Sequence, residues 1–137
     1  MVFDPKESVD LQGQTGPYIQ YSYVRIRGVL RKAEAEGIEL SASANYGQLE
    51  AQESAILLLL YGYPEVVQQA AKAYDPSLIA NYCYDLAKAY HKFWHDLSIL
   101  GADTAEAKAF RLKLSASVGH VLKSGMNLLG IEMPQRM

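Results

Sequence analysis

The chain has one cysteine, Cys83, so no internal disulfide can form and a disulfide-stapled secreted scaffold is excluded. It has no excess of either charge: 13 Lys and Arg stand against 15 Asp and Glu, a net charge of −2. No global basic field draws it onto a polyanion, so any nucleic-acid contact must come from a local patch. Long hydrophobic runs are missing too. The longest aliphatic stretch, Ala55 to Leu60, is far too short to span a bilayer. No basic segment precedes an apolar one at the N-terminus, as a signal peptide requires. A cytoplasmic protein with no membrane attachment is the expectation. No stretch alternates apolar and polar residues as a half-buried strand does, and there is no repeat or low-complexity segment.

What is present suits one ordered domain. Half of the 137 residues are apolar or aromatic, enough to build a core, and the 20% that are charged are spread along the chain. Ten tyrosines beside three phenylalanines and one tryptophan are an unusual aromatic choice. Tyr has an apolar body and a polar tip, so these rings belong at a boundary with water. They either cover the rims of helices or form a stacking surface.

Residues 1–16 are polar and turn-rich and read as a lead-in segment; residues 17–137 read as the domain. Pro17 suits a first helical turn, and helical spacing continues to about Glu36, where Gly37 is a natural stop. Residues 38–46 look like a loop. A second helix fits 47–61 and ends near Gly62. Pro64 opens a short third helix to about Ala73. Asp75-Pro76 caps a fourth that runs to about His95. Asp103 with Glu106 reads as a capping box for a fifth, which runs to about Leu122, bends at Gly125 and stops at Gly130. The tail from Ile131 is irregular. The fold class expected is all-α: a bundle of about five helices with an irregular N-terminal lead-in and a short C-terminal tail.

On the first helix, Ile19, Tyr23, Ile26, Leu30 and Ala33 fall on one stripe at about 100° per residue. Tyr18, Tyr21, Arg25, Gly28 and Lys32 fall on another. That second face mixes rings with cations, as recognition of unpaired RNA requires: bases stack on Tyr and guanidinium planes while phosphates pair with Arg or Lys. A solvated face whose tyrosines shield a neighbouring helix has the same pattern. On the fourth helix Leu78, Ile79, Tyr82, Leu86 and Phe93 have core spacing, and Tyr90 and Trp94 share a face one turn apart. That pair is either core or a ligand platform.

Other constellations carry less. His91 and His95 are four apart but lack the glutamate of a metalloprotease helix and any matching Cys or His pair, so no metal site is expected. Cys83, flanked by Tyr82 and Tyr84, reads as a small packed side chain. No Gly-rich loop has the spacing of a phosphate cradle, and no carboxylates pair. No catalytic residue is expected.

Two stretches set the chain beside a known family. Phe3-Asp4-Pro5-Lys6-Glu7-Ser8, followed by Thr15-Gly16-Pro17-Tyr18-Ile19-Gln20-Tyr21 and Arg25-Ile26, resembles the segment of arginyl-tRNA synthetases that enters the anticodon-binding domain. The ending, Asn127-Leu128-Leu129-Gly130-Ile131-Glu132-Met133-Pro134-Gln135-Arg136-Met137, is similar to that family's "LLGI.APERM". Asp75 to Tyr82 and Lys92 to Asp96 also look like the family, in the right order. Tyr23 stands where many members carry histidine, Trp94 where many carry tyrosine or phenylalanine, and Gln135 where glutamate is usual. The letters DALR do not occur; Asp85-Leu86-Ala87-Lys88 is the nearest echo.

The resemblance implies a helical anticodon-binding domain of the DALR type from a class I synthetase. The partners implied are the tRNA for arginine and the enzyme's own catalytic domain, in a monomeric parent that attaches arginine to its tRNA. Neither a HIGH-like nor a KMSKS-like motif occurs. The resemblance therefore implies that ATP, with Mg, belongs to a catalytic domain outside this chain, and that the chain alone holds no cofactor and is inactive. Carried over position by position, it implies that Tyr18, Gln20, Tyr21, Arg25, Lys32, Tyr90, Trp94 and Met137 meet the anticodon stem and loop. Losing Met137 should then weaken RNA binding without unfolding the bundle. The rival reading is a helical protein–protein interaction domain with no RNA role.

Overall fold

A computed structural model describes residues 5, 16–38 and 48–136. Among the described residues four long helices follow one another: α1 (Gly16–Ala35), α2 (Ala51–Ala73), α3 (Ser77–Asp96) and α4 (Ala105–Leu128). No strand occurs among the described residues. The helices pack into one bundle in which α3 lies against α2, α1 and α4. The expected lead-in falls, apart from Pro5 and Gly16, outside the described residues, as do most of the expected 38–46 loop and Met137.

The expected bundle of about five helices is corrected to four between residues 16 and 128, because α2 continues through Pro64, where the sequence predicts the opening of a separate third helix. Proline removes one i→i−4 hydrogen bond and favours a break. Here the apolar face keeps going across it: Ile56, Leu59, Leu60, Tyr63, Val66 and Ala70 all pack on the core. Tertiary anchors hold the turn that leads into the proline. The Tyr82 hydroxyl donates to the Leu59 carbonyl at 2.6 Å, the Tyr63 hydroxyl meets Ser124 Oγ at 2.9 Å, and the two tyrosine rings stack at 5.3 Å. Burial on both sides of the proline outweighs the single missing bond.

The helix ends follow local chemistry. Gly37 (φ +73°) and Gly130 (φ +78°) stand just past α1 and α4 in the left-handed region, as expected of C-terminal stops. At the start of α3, Asp75 Oδ1 accepts from the Ser77 backbone N–H and hydroxyl. The cap of α4 is Thr104, whose Oγ1 accepts from Ala107 N–H at 3.1 Å. It is not Asp103, one residue earlier. A capping interaction of the expected kind occurs instead on α2, where Glu53 Oε1 accepts from Glu50 N–H at 2.8 Å.

Gly125, expected as a bend, lies within a continuous α4. A Cβ there would come within 2.6 Å of Cys83 Sγ, so the position lets α3 and α4 approach closely. Cys83 itself is fully buried, and burial pushes its thiol up to about 11. It is therefore a packed neutral thiol rather than a nucleophile.

Candidate nucleic-acid interface

α1 is clasped between α3 and α4, so it buries a wide arc. Ile19, Tyr23, Ile26 and Ala33 are buried as their spacing predicts, with Leu30 half-buried. Tyr18, expected on the ring-and-cation stripe, is corrected to the core side. It is 9% exposed, and its ring lies 5.5 Å from Tyr84 and 6.5 Å from His91. A helix pressed from two sides leaves only a narrow strip uncovered, and Tyr18 falls at its buried edge.

What remains of the second stripe lines a cleft of about 600 Å³. Tyr21, Arg25, Gly28 and Lys32 form its α1 side, Trp94 at the end of α3 contributes a ring, and the connector residues Ser98 to Gly101 complete it. Arg25 is its centre. Its guanidinium carbon lies 5.0 Å from the Tyr21 ring centroid and 5.1 Å from that of Trp94. Cation–π attraction holds it to both rings. Nη2 donates to the Tyr21 hydroxyl at 3.0 Å, and Nη1 donates to His91 Nδ1 at 2.9 Å. Arg has no acceptor, so His91 must present an unprotonated Nδ1. Burial, reinforced by Arg25 and then by His95, holds the His91 pKa below its ordinary value of 6.5. The neutral imidazole is what the contact needs.

Gln20 does not line the cleft. Its Nε2 donates to the Glu132 carbonyl at 3.0 Å. Arg27 Nε donates to Gln135 Oε1 at 3.0 Å, and Arg31 Nη1 to the Gln135 carbonyl at 3.1 Å. Three polar side chains of α1 thus strap down the C-terminal tail. Gln20 acts here on the tail, not on the cleft.

Tyr90 is fully buried. Its hydroxyl donates to Ser115 Oγ at 3.0 Å, and its ring packs on Phe93 at 5.5 Å and on Trp94 at 6.4 Å. It supports Trp94 from below and presents no surface of its own. Tyr21, Arg25, Lys32 and Trp94 are therefore the expected site residues that the fold brings together at one cleft, while Tyr18, Gln20 and Tyr90 lie beside or beneath it.

Sequence reading missed His91, Val24 and the Ser98–Gly101 wall. His91 carries a usable signal, since it stands three residues before Trp94 and so shares its face. The connector has a weaker one: Ser98 Oγ accepts from Gly101 N–H at 3.0 Å, a turn that the Ser-x-x-Gly spacing foreshadows. Among the described residues no three His, Cys, Asp or Glu side chains gather as a metal-binding group, and no helix is long and apolar enough to cross a membrane.

The bundle itself is one that known proteins share. The chain belongs to the family of DALR anticodon binding domains, whose model matches residues 19–137. Among curated relatives it is 51% identical to the arginine–tRNA ligase of Phocaeicola vulgatus and 50% identical to that of Parabacteroides distasonis, in both cases over all of this chain and 23% of the relative. The arginyl-tRNA synthetase of Thermus thermophilus shares the fold with a TM-score of 0.87 at 30% identity, over 98% of this chain and 23% of that one. The chain thus spans about a quarter of the length of these relatives.

Proposed function

We propose that residues 17–137 are the anticodon-binding domain of an arginine–tRNA ligase and that the cleft between α1, Trp94 and the 98–101 connector receives unpaired bases of the anticodon loop. One observation carries this reading: Arg25 is fixed between Tyr21 and Trp94, bonded to Tyr21 and His91, at the mouth of a cleft large enough for a base. A guanidinium already held by two rings and two hydrogen bonds needs little ordering to meet a base or a phosphate. Lys32, exposed on the same strip, supplies a second cation. Such a local patch works despite the net charge of −2.

The relatives' name supports a parent that attaches arginine to its tRNA. In this reading ATP with Mg is held by the parent's catalytic domain, residues 1–16 lead in from that domain, and the parent is a cytoplasmic monomer. Met137 would sit near the bound loop. The family match favours this reading over a protein–protein interaction domain.

The test is titration of the chain with an arginine-tRNA anticodon stem-loop, and with the same hairpin changed at its middle anticodon base, at low and high salt. Binding that falls with the base change and weakens as salt rises supports the proposal. Binding that ignores both base and salt, or no binding at all, overturns it.

A further inference from the structure

Glu53, in the first turn of α2, has no exposed surface, and Arg111 of α4 is 9% exposed. They form an ion pair, Arg111 Nε to Glu53 Oε2, at 3.3 Å. Replacing such a buried pair with well-packed apolar residues is often neutral or stabilising, so stability alone does not account for it. The remaining bonds suggest what does. Glu53 Oε1 accepts from the Glu50 N–H at 2.8 Å, which fixes the carboxylate in place. Arg111 Nη1 donates to the Ser98 carbonyl at 2.7 Å. Ser98 begins the connector that makes one wall of the cleft, and its hydroxyl in turn accepts from Gly101 N–H. Arg111 is also tied to the ring beneath Trp94, since Ser115 Oγ donates to the Arg111 carbonyl at 2.8 Å and accepts from the Tyr90 hydroxyl.

We infer that Arg111, oriented by Glu53, is a positioning residue for the cleft: its guanidinium fixes the Ser98 carbonyl and so sets the 98–101 wall beside Trp94. Only a planar fork can reach the carboxylate with one nitrogen and the carbonyl with another while staying charged in a buried place. Lysine keeps the charge and the pairing with Glu53 but cannot hold both ends. The RNA consequence rests on the anticodon-loop reading of the cleft; the geometric consequence does not.

Trp94 is the chain's single tryptophan and lies in the cleft, so its fluorescence reads the wall without RNA. The experiment compares wild type, Arg111→Lys, Glu53→Gln and Ile79→Val. Ile79→Val is a mild core truncation on the first turn of α3, at the opposite end of that helix from Trp94. Each variant is held well below its melting temperature while acrylamide quenching of Trp94 and affinity for the anticodon stem-loop are measured. Arg111→Lys should raise quenching and weaken hairpin binding about tenfold, the size of one lost charge-assisted bond, while Ile79→Val leaves both unchanged. Unchanged quenching in folded Arg111→Lys overturns the inference. So does loss of the cooperative fold in both Arg111→Lys and Glu53→Gln, which would make the pair a requirement for folding and not a positioning device. If wild type does not bind the hairpin, the anticodon reading fails, and the Trp94 signal still decides the inference.

Discussion

Arg25 and Trp94, on different helices, meet with the guanidinium carbon 5.1 Å from the indole centroid. Arg25 also faces Tyr21 and bonds His91. Arg25→Lys would keep a cation but lose the flat surface and the paired donors. It should weaken hairpin binding by about 5- to 150-fold, the range of about 1–3 kcal/mol expected for one stacked base. Trp94→Ala should fall in the same range; the thermal melt of Arg25→Lys should stay close to wild type, while that of Trp94→Ala should drop because its half-buried ring packs on Tyr90. Isothermal titration against the anticodon stem-loop checks this, and equal affinity across all three proteins would refute it.

Lys32 is exposed and stands at the far end of the same strip from Tyr21. Its expected partner is a phosphate, which positions the RNA without reading a base. Lys32→Ala should therefore weaken the matched and base-changed hairpins alike, and lower the slope of log affinity against log salt by about 0.7, the figure for one single-strand phosphate contact. Affinity measured across a salt series decides the point.

His91 links the cleft to pH. Its folded pKa lies below the ordinary 6.5 through burial first, then Arg25, then His95. The folded state thus resists a proton that the unfolded chain accepts. Whatever stability the neutral ring contributes is complete above pH 6.5 and is lost as pH falls through the lowered folded value. NMR titration of the His91 ring should give a midpoint below 6.5, moving upward in Arg25→Gln. Hairpin affinity should also change over that window, because a protonated His91 can no longer accept from Arg25.

Gly125→Ala sets two effects against each other. Alanine gains about 1 kcal/mol of helix propensity. Its Cβ, however, lands 2.6 Å from Cys83 Sγ in a filled core, and overpacking of this kind typically costs about 1–3 kcal/mol. Net destabilisation is expected, read as a lower urea midpoint with an unchanged slope. Gly125→Ala combined with Cys83→Ala should recover much of the loss, because the sulfur that causes the clash is gone.

Features set by local spacing were legible in the sequence. The stripe of Ile19, Tyr23 and Ile26, the strip of Tyr21, Arg25 and Lys32, and the stops at Gly37 and Gly130 each depend on neighbours within a turn or two. Features set by distant partners were not. Pro64 reads as a helix start until Tyr82 and Ser124 are seen holding the turn before it from α3 and α4, and Val66 and Ala70 are seen packing on the core after it. Tyr90 and Trp94 look alike on a helical wheel, yet contact with Ser115 and Phe93 buries one while the other lines the cleft. Glu53 and Arg111 are 58 residues apart, and nothing local to either marks them as a pair. Tyr18 was misplaced for a related reason: a single periodicity cannot tell one packing neighbour from two.

The strapping of α1 by the tail has a meaning for the order in which the molecule comes into being. Gln20, Arg27 and Arg31 leave the ribosome among the first residues of the domain, yet their partners at Glu132 and Gln135 are among the last. Through nearly all of synthesis, therefore, the helix that carries Tyr21 and Arg25 lacks these three tail contacts. The residues of the cleft are all made by Gly101, but the strap along α1 closes only once Gln135 has been added, and a chain halted before Glu132 has none of it.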